Sequence, residues 1–325
     1  MRANNAIKHI NRSFNTFYKT SLLHKFLYFL AFLICISLIT NHGKGKLKEI
    51  EGFKQKSNNF KMNTDAITIY DDFYANIYDL LVFSKIKNDF EIGHIIQYTK
   101  PAKNSNMLDI GSGTGHHVSS LVSHGYKAKG IDISSHMVKK AKETYPKLEF
   151  NNEDALNEMN YPPDTFTHIT CLYFTLYYMR DKRMLFSNCM KWLLPGGYLA
   201  VHMVNRDKFD PILPAGNPFT IVSPQKFAKK RITSTIVKFD DFEYKSNFNL
   251  KDNVNGKDSP NAIMNETFKN NKDGNIVKNE HQLYMQTQSE ILDIAKSVGF
   301  IIHSKIDLLK CQYENQYIYI LQKPN

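Results

Sequence analysis

The stretch LDIGSGTG, Leu108 to Gly115, places three glycines, Gly111, Gly113 and Gly115, within five residues at the end of an apolar run. Glycines so spaced let a backbone approach a ligand closely. A phosphate-binding P-loop needs a lysine for the β- and γ-phosphates, and none stands here. A dinucleotide fingerprint needs G-x-G-x-x-G, whereas His116 takes the place of the third glycine. Asp109 ends the run two positions before Gly111. A carboxylate there would repel a pyrophosphate and attract an amine or sulfonium, the more so in a cleft with little water. The loop therefore suits a cationic, phosphate-free ligand. Asp132 stands where an acid can accept hydrogen bonds from both ribose hydroxyls, and Asp154 in NEDAL can receive an adenine amino group.

These residues need elements to hold them, and the pattern around them supplies an alternation. Strands are expected at Met107–Ile110, Ala128–Ile133, Leu148–Phe150, Thr167–Tyr173 and Tyr198–Val204. Helices fall between them, starting at His116, after Ser134 or Ser135, and at Met184, with a turn at Pro195-Gly196-Gly197. Such alternation predicts a parallel α/β sheet with ligands at the carboxyl ends of its strands. Residues 205–285 alternate in the strand manner, with a turn at Lys272-Asp273-Gly274, which predicts a small antiparallel insertion. The α/β pattern resumes with a helix at Ser289–Val298 and strands near Ile301–Ile306 and Tyr317–Gln322. Ahead of the sheet, Ile67–Phe83 is rich in tyrosine and phenylalanine with helical spacing in its second half.

LDIGSGTG, GIDIS (Gly130–Ser134), EDA (Glu153–Ala155) and LLPGGYL (Leu193–Leu199) together resemble the successive motifs of class I S-adenosylmethionine-dependent methyltransferases. The resemblance covers Asn104–Val204 and, more loosely, the final helix and strands. It implies a Rossmann-like, seven-stranded, mostly parallel sheet whose last strand is antiparallel, and S-adenosylmethionine as cofactor. It further implies Gly111, Ser112 and Gly113 at the methionine end, Asp132 on the ribose, and Asp154 with Ala155 at the adenine, where Met137 packs on the ring. Asp109, Gly115, Ile133 and Cys171, beside these on the strand ends, complete the candidate cofactor set.

Sulfonium methyl transfer is an in-line displacement in which the protein chiefly aligns the acceptor and excludes water, so no catalytic residue type is obligatory. Tyr173, Tyr177 and His202 are the candidates for a catalytic part, with Tyr178, Tyr70 and Tyr78 as further cleft tyrosines able to cage a cationic acceptor. After the fourth strand the chain reads Cys171-Leu172-Tyr173-Phe174, not the Asn/Asp-Pro-Pro-aromatic motif of amino-methylating enzymes on nucleic-acid bases. A small-molecule or lipid-like acceptor is expected. A protein or RNA acceptor, with Lys229, Lys230 and Arg231 as its basic patch, a non-catalytic binding module, and a nicotinamide enzyme are the alternatives.

The net charge of +11 does not argue for nucleic acid. Eight of those charges sit in residues 1–48, which hold no acid, so the body of the chain is only mildly basic. The four cysteines, Cys35, Cys171, Cys189 and Cys311, have neither metal-ligand nor disulfide-framework spacing. Leu22–Thr40 is long and apolar enough, with Lys25 snorkelling, to serve as a membrane helix. A mitochondrial targeting segment and a cleaved signal are the alternatives for it. The expected organisation is a basic flank over 1–21, a transmembrane helix over 22–40 and a linker over 41–63. A methyltransferase domain follows over 64–325, with the insertion at 205–285. Because the cofactor is made in the cytosol, that domain is expected to face the cytosol. Nothing in the sequence speaks to oligomeric state.

Overall fold

The strand behind the glycine loop, β2 (Asn106–Ile110), is buried from Met107 onward and pairs in parallel on both sides. Its neighbours are β3 (Lys127–Asp132) and β5 (Phe166–Cys171). Outside β3 lies β4 (Glu149–Asn152), and beside β5 lies β6 (Leu193–Val204). The sheet ends with β12 (Gln316–Gln322), antiparallel to β6, and β11 (Ile301–Asp307), antiparallel to β12. The order β11-β12-β6-β5-β2-β3-β4 is a seven-stranded sheet in which the last strand alone runs against its neighbours. This computed structural model describes residues 60–214, 225, 228–251 and 261–325. The basic flank, the 22–40 segment and residues 41–59 of the expected linker lie outside the described residues. Among the described residues no helix is long and apolar enough to cross a membrane.

Both faces of this sheet are covered, which a mainly parallel sheet requires. Alternation along β6 sends Leu199, Val201 and Met203 toward Trp192 and Phe186, while Ala200 joins Ile92, Ile95 and Met107 on the other face. Trp192 and Phe186 belong to α7 (Lys182–Trp192), and Ile92 and Ile95 to α3 (Lys85–Thr99). The helices start where local chemistry lets them. Ser134 caps α5 (Ser135–Thr144) by accepting from the Met137 N–H, and Thr287 with Glu290 forms a capping box on α8 (Gln288–Val298).

A second sheet has the order β1-β10-β9-β8-β7. Its strands β7 (Ser234–Lys238), β8 (Phe242–Leu250), β9 (Ala262–Asn270) and β10 (Ile276–Leu283) form the expected antiparallel insertion, with Gly274 at positive φ in the β9–β10 turn. The fifth strand was not expected. β1 (Phe60–Asn63), from the end of the presumed linker, adds in parallel to β10. The edge of β10 offers unpaired backbone groups, and four residues are too few for alternation to be recognised. Phe242, Tyr244 and Phe268 of this sheet pack on Phe73 and Tyr74, which lie on α2 (Asp72–Leu81) just after the short α1 (Ala66–Ile69). The tyrosine-rich segment is thus held against the insertion.

Candidate active site

The loop after β2 is tied down by its own backbone. Gly111 and Ser112 both donate N–H to the Ile131 carbonyl, at 2.8 and 2.9 Å, at the end of β3. Gly111 sits at φ +69°, and a Cβ there would run into the Thr175 side chain of α6 (Thr175–Tyr178). Gly115 opens α4 (His116–Ser123) at φ +91°, and a Cβ on it would lie 2.6 Å from the Phe150 ring. Both positions need glycine for backbone and for space.

Asp132 closes the loop from the next strand. Its Oδ2 accepts from the Gly113 N–H at 2.9 Å and its Oδ1 from the Ser134 N–H at 2.9 Å. Burial pushes this carboxyl up to about 6, although the two N–H donors pull the other way. Ser134 reaches further, donating its hydroxyl to the Tyr70 carbonyl. The strand end, the loop and the tyrosine segment are therefore one hydrogen-bonded unit.

This unit lines a cavity of about 460 Å³. Of the expected cofactor residues, Gly111, Ser112, Gly113 and Asp132 line it, as do Ile133, Met137, Asp154 and Ala155. Tyr70, Tyr78, Tyr173, Tyr178 and His202 line it too. Asp154 holds its loop by accepting from the Leu156 N–H at 2.9 Å. His202 is buried with Nδ1 2.6 Å from the Tyr173 carbonyl, so Nδ1 carries the proton. Burial, aided by Lys87, lowers its pKa to about 4, and the ring is neutral at pH 7. Tyr173 holds φ +50°, a left-handed turn that aims the chain out of β5 into the cavity wall.

Four expected residues are placed elsewhere. Asp109 is 1% exposed and off the wall; its carboxylate accepts the Thr170 hydroxyl at 2.6 Å and lies 3.9 Å from His117 Nδ1. Burial raises its pKa. It anchors the sheet beneath the loop and does not face the cavity. Gly115 packs on Phe150, away from the wall. Cys171 points into the core with Ile110 and Ile169, because alternation along β5 gives the cavity to Leu172 instead. Tyr177 is fully buried, and its hydroxyl accepts the Val204 N–H at 2.8 Å, which is a structural duty. Of the basic patch, Lys229 and Lys230 are exposed, whereas Arg231 stacks on Phe209 and Phe248 and donates to the Phe209 and Arg206 carbonyls.

Other residues at the site gave no local signal. One is the carboxylate of Asp79 on α2. It accepts from the Thr114 hydroxyl at 2.6 Å and lies 3.0 Å from His116 Nε2, so it braces two residues of the cavity wall at the start of α4 without lining the cavity itself. His116 itself is stacked on Phe83 at 3.7 Å. Lys87 is 1% exposed, paired with Glu91, with its ammonium 3.5 Å from the centre of the Tyr173 ring. Burial raises the Glu91 pKa, but Lys87 and His117 more than offset it, leaving the carboxyl at about 2. Glu266 and His281 of the insertion are buried beside the tyrosines and bonded to each other at 2.7 Å.

The donor set fits S-adenosylmethionine. Ser112 Oγ is buried without a partner among the described residues, Gly113 leaves the wall open, and Asp132 has oxygen lone pairs for a diol. Asp132 on the wall suits a ligand that brings hydroxyls or positive charge and no phosphate there.

Residues 107–197 match the family described as "Methyltransferase domain". The chain carries a methyltransferase domain. Among curated relatives, that domain's region is 28% identical over 144 residues to a dTDP-4-amino-2,3,4,6-tetradeoxy-D-glucose N,N-dimethyltransferase of Saccharopolyspora spinosa, covering 42% of this chain and 57% of the relative. It is 24% identical over 124 residues to a ubiquinone biosynthesis O-methyltransferase of Aliivibrio fischeri, covering 37% and 53%. The chain thus spans a little over half the length of these two relatives. In three dimensions it is similar to an S-adenosylmethionine-dependent methyltransferase from Clostridium acetobutylicum, with a TM-score of 0.59, 18% identity, and coverage of 78% of this chain and 98% of the other. The methyltransferase domain therefore has the fold of S-adenosylmethionine-dependent methyltransferases, including the antiparallel last strand.

Proposed function

We propose that this chain transfers the methyl group of S-adenosylmethionine to a small-molecule acceptor. The observation that carries the reading is the single cavity in which the glycine loop and Asp132 share walls with Tyr70, Tyr78, Tyr178 and His281. Its volume lies in the range of small-ligand sites. The second sheet and α2 contribute to its walls, and the space suits a small acceptor. The cofactor supplies an electrophilic methyl on a sulfonium. The chain's own residues hold and orient: the loop backbone and Ser112 at one end, Asp132 on the ribose, Asp154 and Ala155 at the base. The tyrosine faces suit a cationic or amine-bearing acceptor. The two relatives are named as a sugar N-methyltransferase and a ubiquinone-pathway O-methyltransferase, which supports the small-molecule class.

The reading includes a tether. Residues 22–40 anchor the chain in a membrane with the domain on the cytosolic side, where an acceptor of lipid-like character is within reach. The support for the anchor is the apolar run; basic residues flank it almost equally on both sides, and the cytosolic side follows from where the cofactor is made. The test is methyl-labelled S-adenosylmethionine incubated with the protein and a fractionated cell extract. Label is expected in the small-molecule or lipid fraction; label confined to protein or RNA would contradict the acceptor class.

A further inference from the structure

Within the cavity wall, one chain of hydrogen bonds runs from the surface of the site into a fully buried carboxylate. Glu266 on β9 and His281 on β10 are diagonal neighbours on one face of the second sheet, since Glu266 pairs with Asn279. His281 Nε2 lies 2.7 Å from Glu266 Oε2. On the other side of the ring, Nδ1 lies 2.5 Å from the Tyr178 hydroxyl of α6. Tyr178 in turn accepts from the Tyr70 hydroxyl at 2.9 Å. The second carboxylate oxygen, Oε1, accepts from Tyr244 at 2.8 Å and Tyr74 at 3.2 Å.

The direction of these bonds follows from the inventory of donors. Burial raises the Glu266 pKa, but His281 and the tyrosine hydroxyls more than offset it, and the group is ionised. An ionised carboxylate only accepts, so the Nε2 of His281 carries the proton. Where the ring is neutral, a state that nitrogen NMR tests, Nδ1 is the acceptor, Tyr178 donates to it, and Tyr70 donates to Tyr178. In that state every proton points toward Glu266. The oxygen of Tyr70 is the outer acceptor of the chain, and Tyr70, Tyr178 and His281 all line the cavity.

We infer that Tyr70, Tyr178 and His281 form a proton wire that takes the acceptor's proton during methyl transfer, with Glu266 as its positioning residue. The inference rests on the methyltransferase reading and deepens it: the acceptor atom is a nitrogen or oxygen that still bears a proton. The acceptor lone pair takes the methyl supplied by the sulfonium, whose sulfur keeps the electron pair of the broken bond. The acceptor's proton passes to the Tyr70 oxygen, that of Tyr70 to Tyr178, and that of Tyr178 to Nδ1. The imidazolium so formed faces the Glu266 carboxylate. After product leaves, the proton returns to water by the same route. A purely structural latch between sheet and helix would be cheaper with apolar side chains, because taking a carboxylate out of water costs several kcal/mol per ion. The titratable groups facing His281 are Glu266 from β9, Tyr178 from α6, and Tyr70 and Tyr74 from the α1–α2 segment; Tyr244 of β8 reaches it through Glu266.

The test combines two readouts on the full chain. Nitrogen NMR of histidine-labelled protein at neutral pH, with His281→Asn for assignment, is expected to show His281 as the neutral Nε2–H tautomer. An Nδ1–H tautomer, or an imidazolium, would overturn the wire because Nδ1 could take no proton. Methyl transfer is then followed against pH with two probes, a 4-amino-sugar nucleotide and a catechol, alongside calorimetric binding of S-adenosylhomocysteine. Glu266→Gln is expected to keep that binding and KM, to lower kcat about 10-fold or more, and to move its acid limb to lower pH; His281→Asn is expected to lose about 100-fold. Unchanged kcat and pH profile in Glu266→Gln would overturn the proposal. So would a wild type that binds S-adenosylhomocysteine and methylates neither probe. A wild type that fails to bind S-adenosylhomocysteine would instead remove the methyltransferase reading underneath.

Discussion

Asp132 is held by two backbone N–H groups on a cavity wall, and its carboxyl titrates at about 6. Protonation removes the acceptor that a ribose diol needs. Affinity for S-adenosylhomocysteine is therefore expected to be flat above pH 6 and to fall by up to about tenfold per pH unit below it. Asp132→Ala should lose both the affinity and the pH dependence; calorimetry at pH 5, 6 and 8 checks this. The places of this residue, Asp154, Gly111 and Gly113 on the cavity wall were legible because each sits in a contiguous motif at a strand end. The residues that were missed work across the fold. Asp79 meets Thr114 and His116 only after α2 folds over α4, and Glu266 meets His281 through a diagonal strand register. Asp109 was misread for a related reason. Its position beside the loop is visible in the sequence, whereas the turn of its side chain toward Thr170 is set by β5, 61 residues away.

At the scale of elements, the alternation placed the strands of the seven-stranded sheet to within about two residues, except β6, which begins at Leu193 rather than at the expected Tyr198, so that the expected Pro195-Gly196-Gly197 turn lies within a strand already paired to Phe166 of β5. It gave no sign of α3, whose buried face carries Lys87, Asn88 and Glu91 among its apolar residues. An i, i+4 lysine–glutamate pair ordinarily marks an exposed face; here it is sealed under Tyr173. Glu91→Gln strands the buried Lys87 ammonium, and breaking such a pair costs about 3–5 kcal/mol, measurable by urea unfolding. A change under 1 kcal/mol would mean that the pair is solvated in the folded state. The loop has its own constraint. Gly115→Ala puts a methyl group against Phe150 at a φ that L-residues avoid, so about 2–4 kcal/mol of stability should be lost in the same assay. β1 had too little sequence to be recognised, yet its Asn63 donates to the buried Asn279 at 2.9 Å. Asn63→Ala leaves Asn279 unsatisfied and should cost about 1–3 kcal/mol.

For the whole molecule, the pairing of Glu91 sets a pH window. Its carboxyl titrates at about 2 in the folded chain against an ordinary 4.5. A lowered carboxylate contributes stability that is present above pH 4.5 and lost as pH falls toward 2. The stability gap between wild type and Glu91→Gln should therefore close across that range. Asp132 and Asp109 act in the opposite sense, favouring the folded state at low pH and less so as pH rises through their folded values. The proposed tether makes a separate prediction: the full chain should float with lipid vesicles, and protease added outside sealed cytosol-facing-out vesicles should reach the domain. The functional account depends on one claim, that the cavity between the glycine loop and the tyrosines is an S-adenosylmethionine site. Calorimetric titration of S-adenosylmethionine and S-adenosylhomocysteine into the wild type and Asp132→Ala tests it most directly. Micromolar binding of both by the wild type, lost in the variant, is the predicted result; a folded wild type that binds neither would contradict the account.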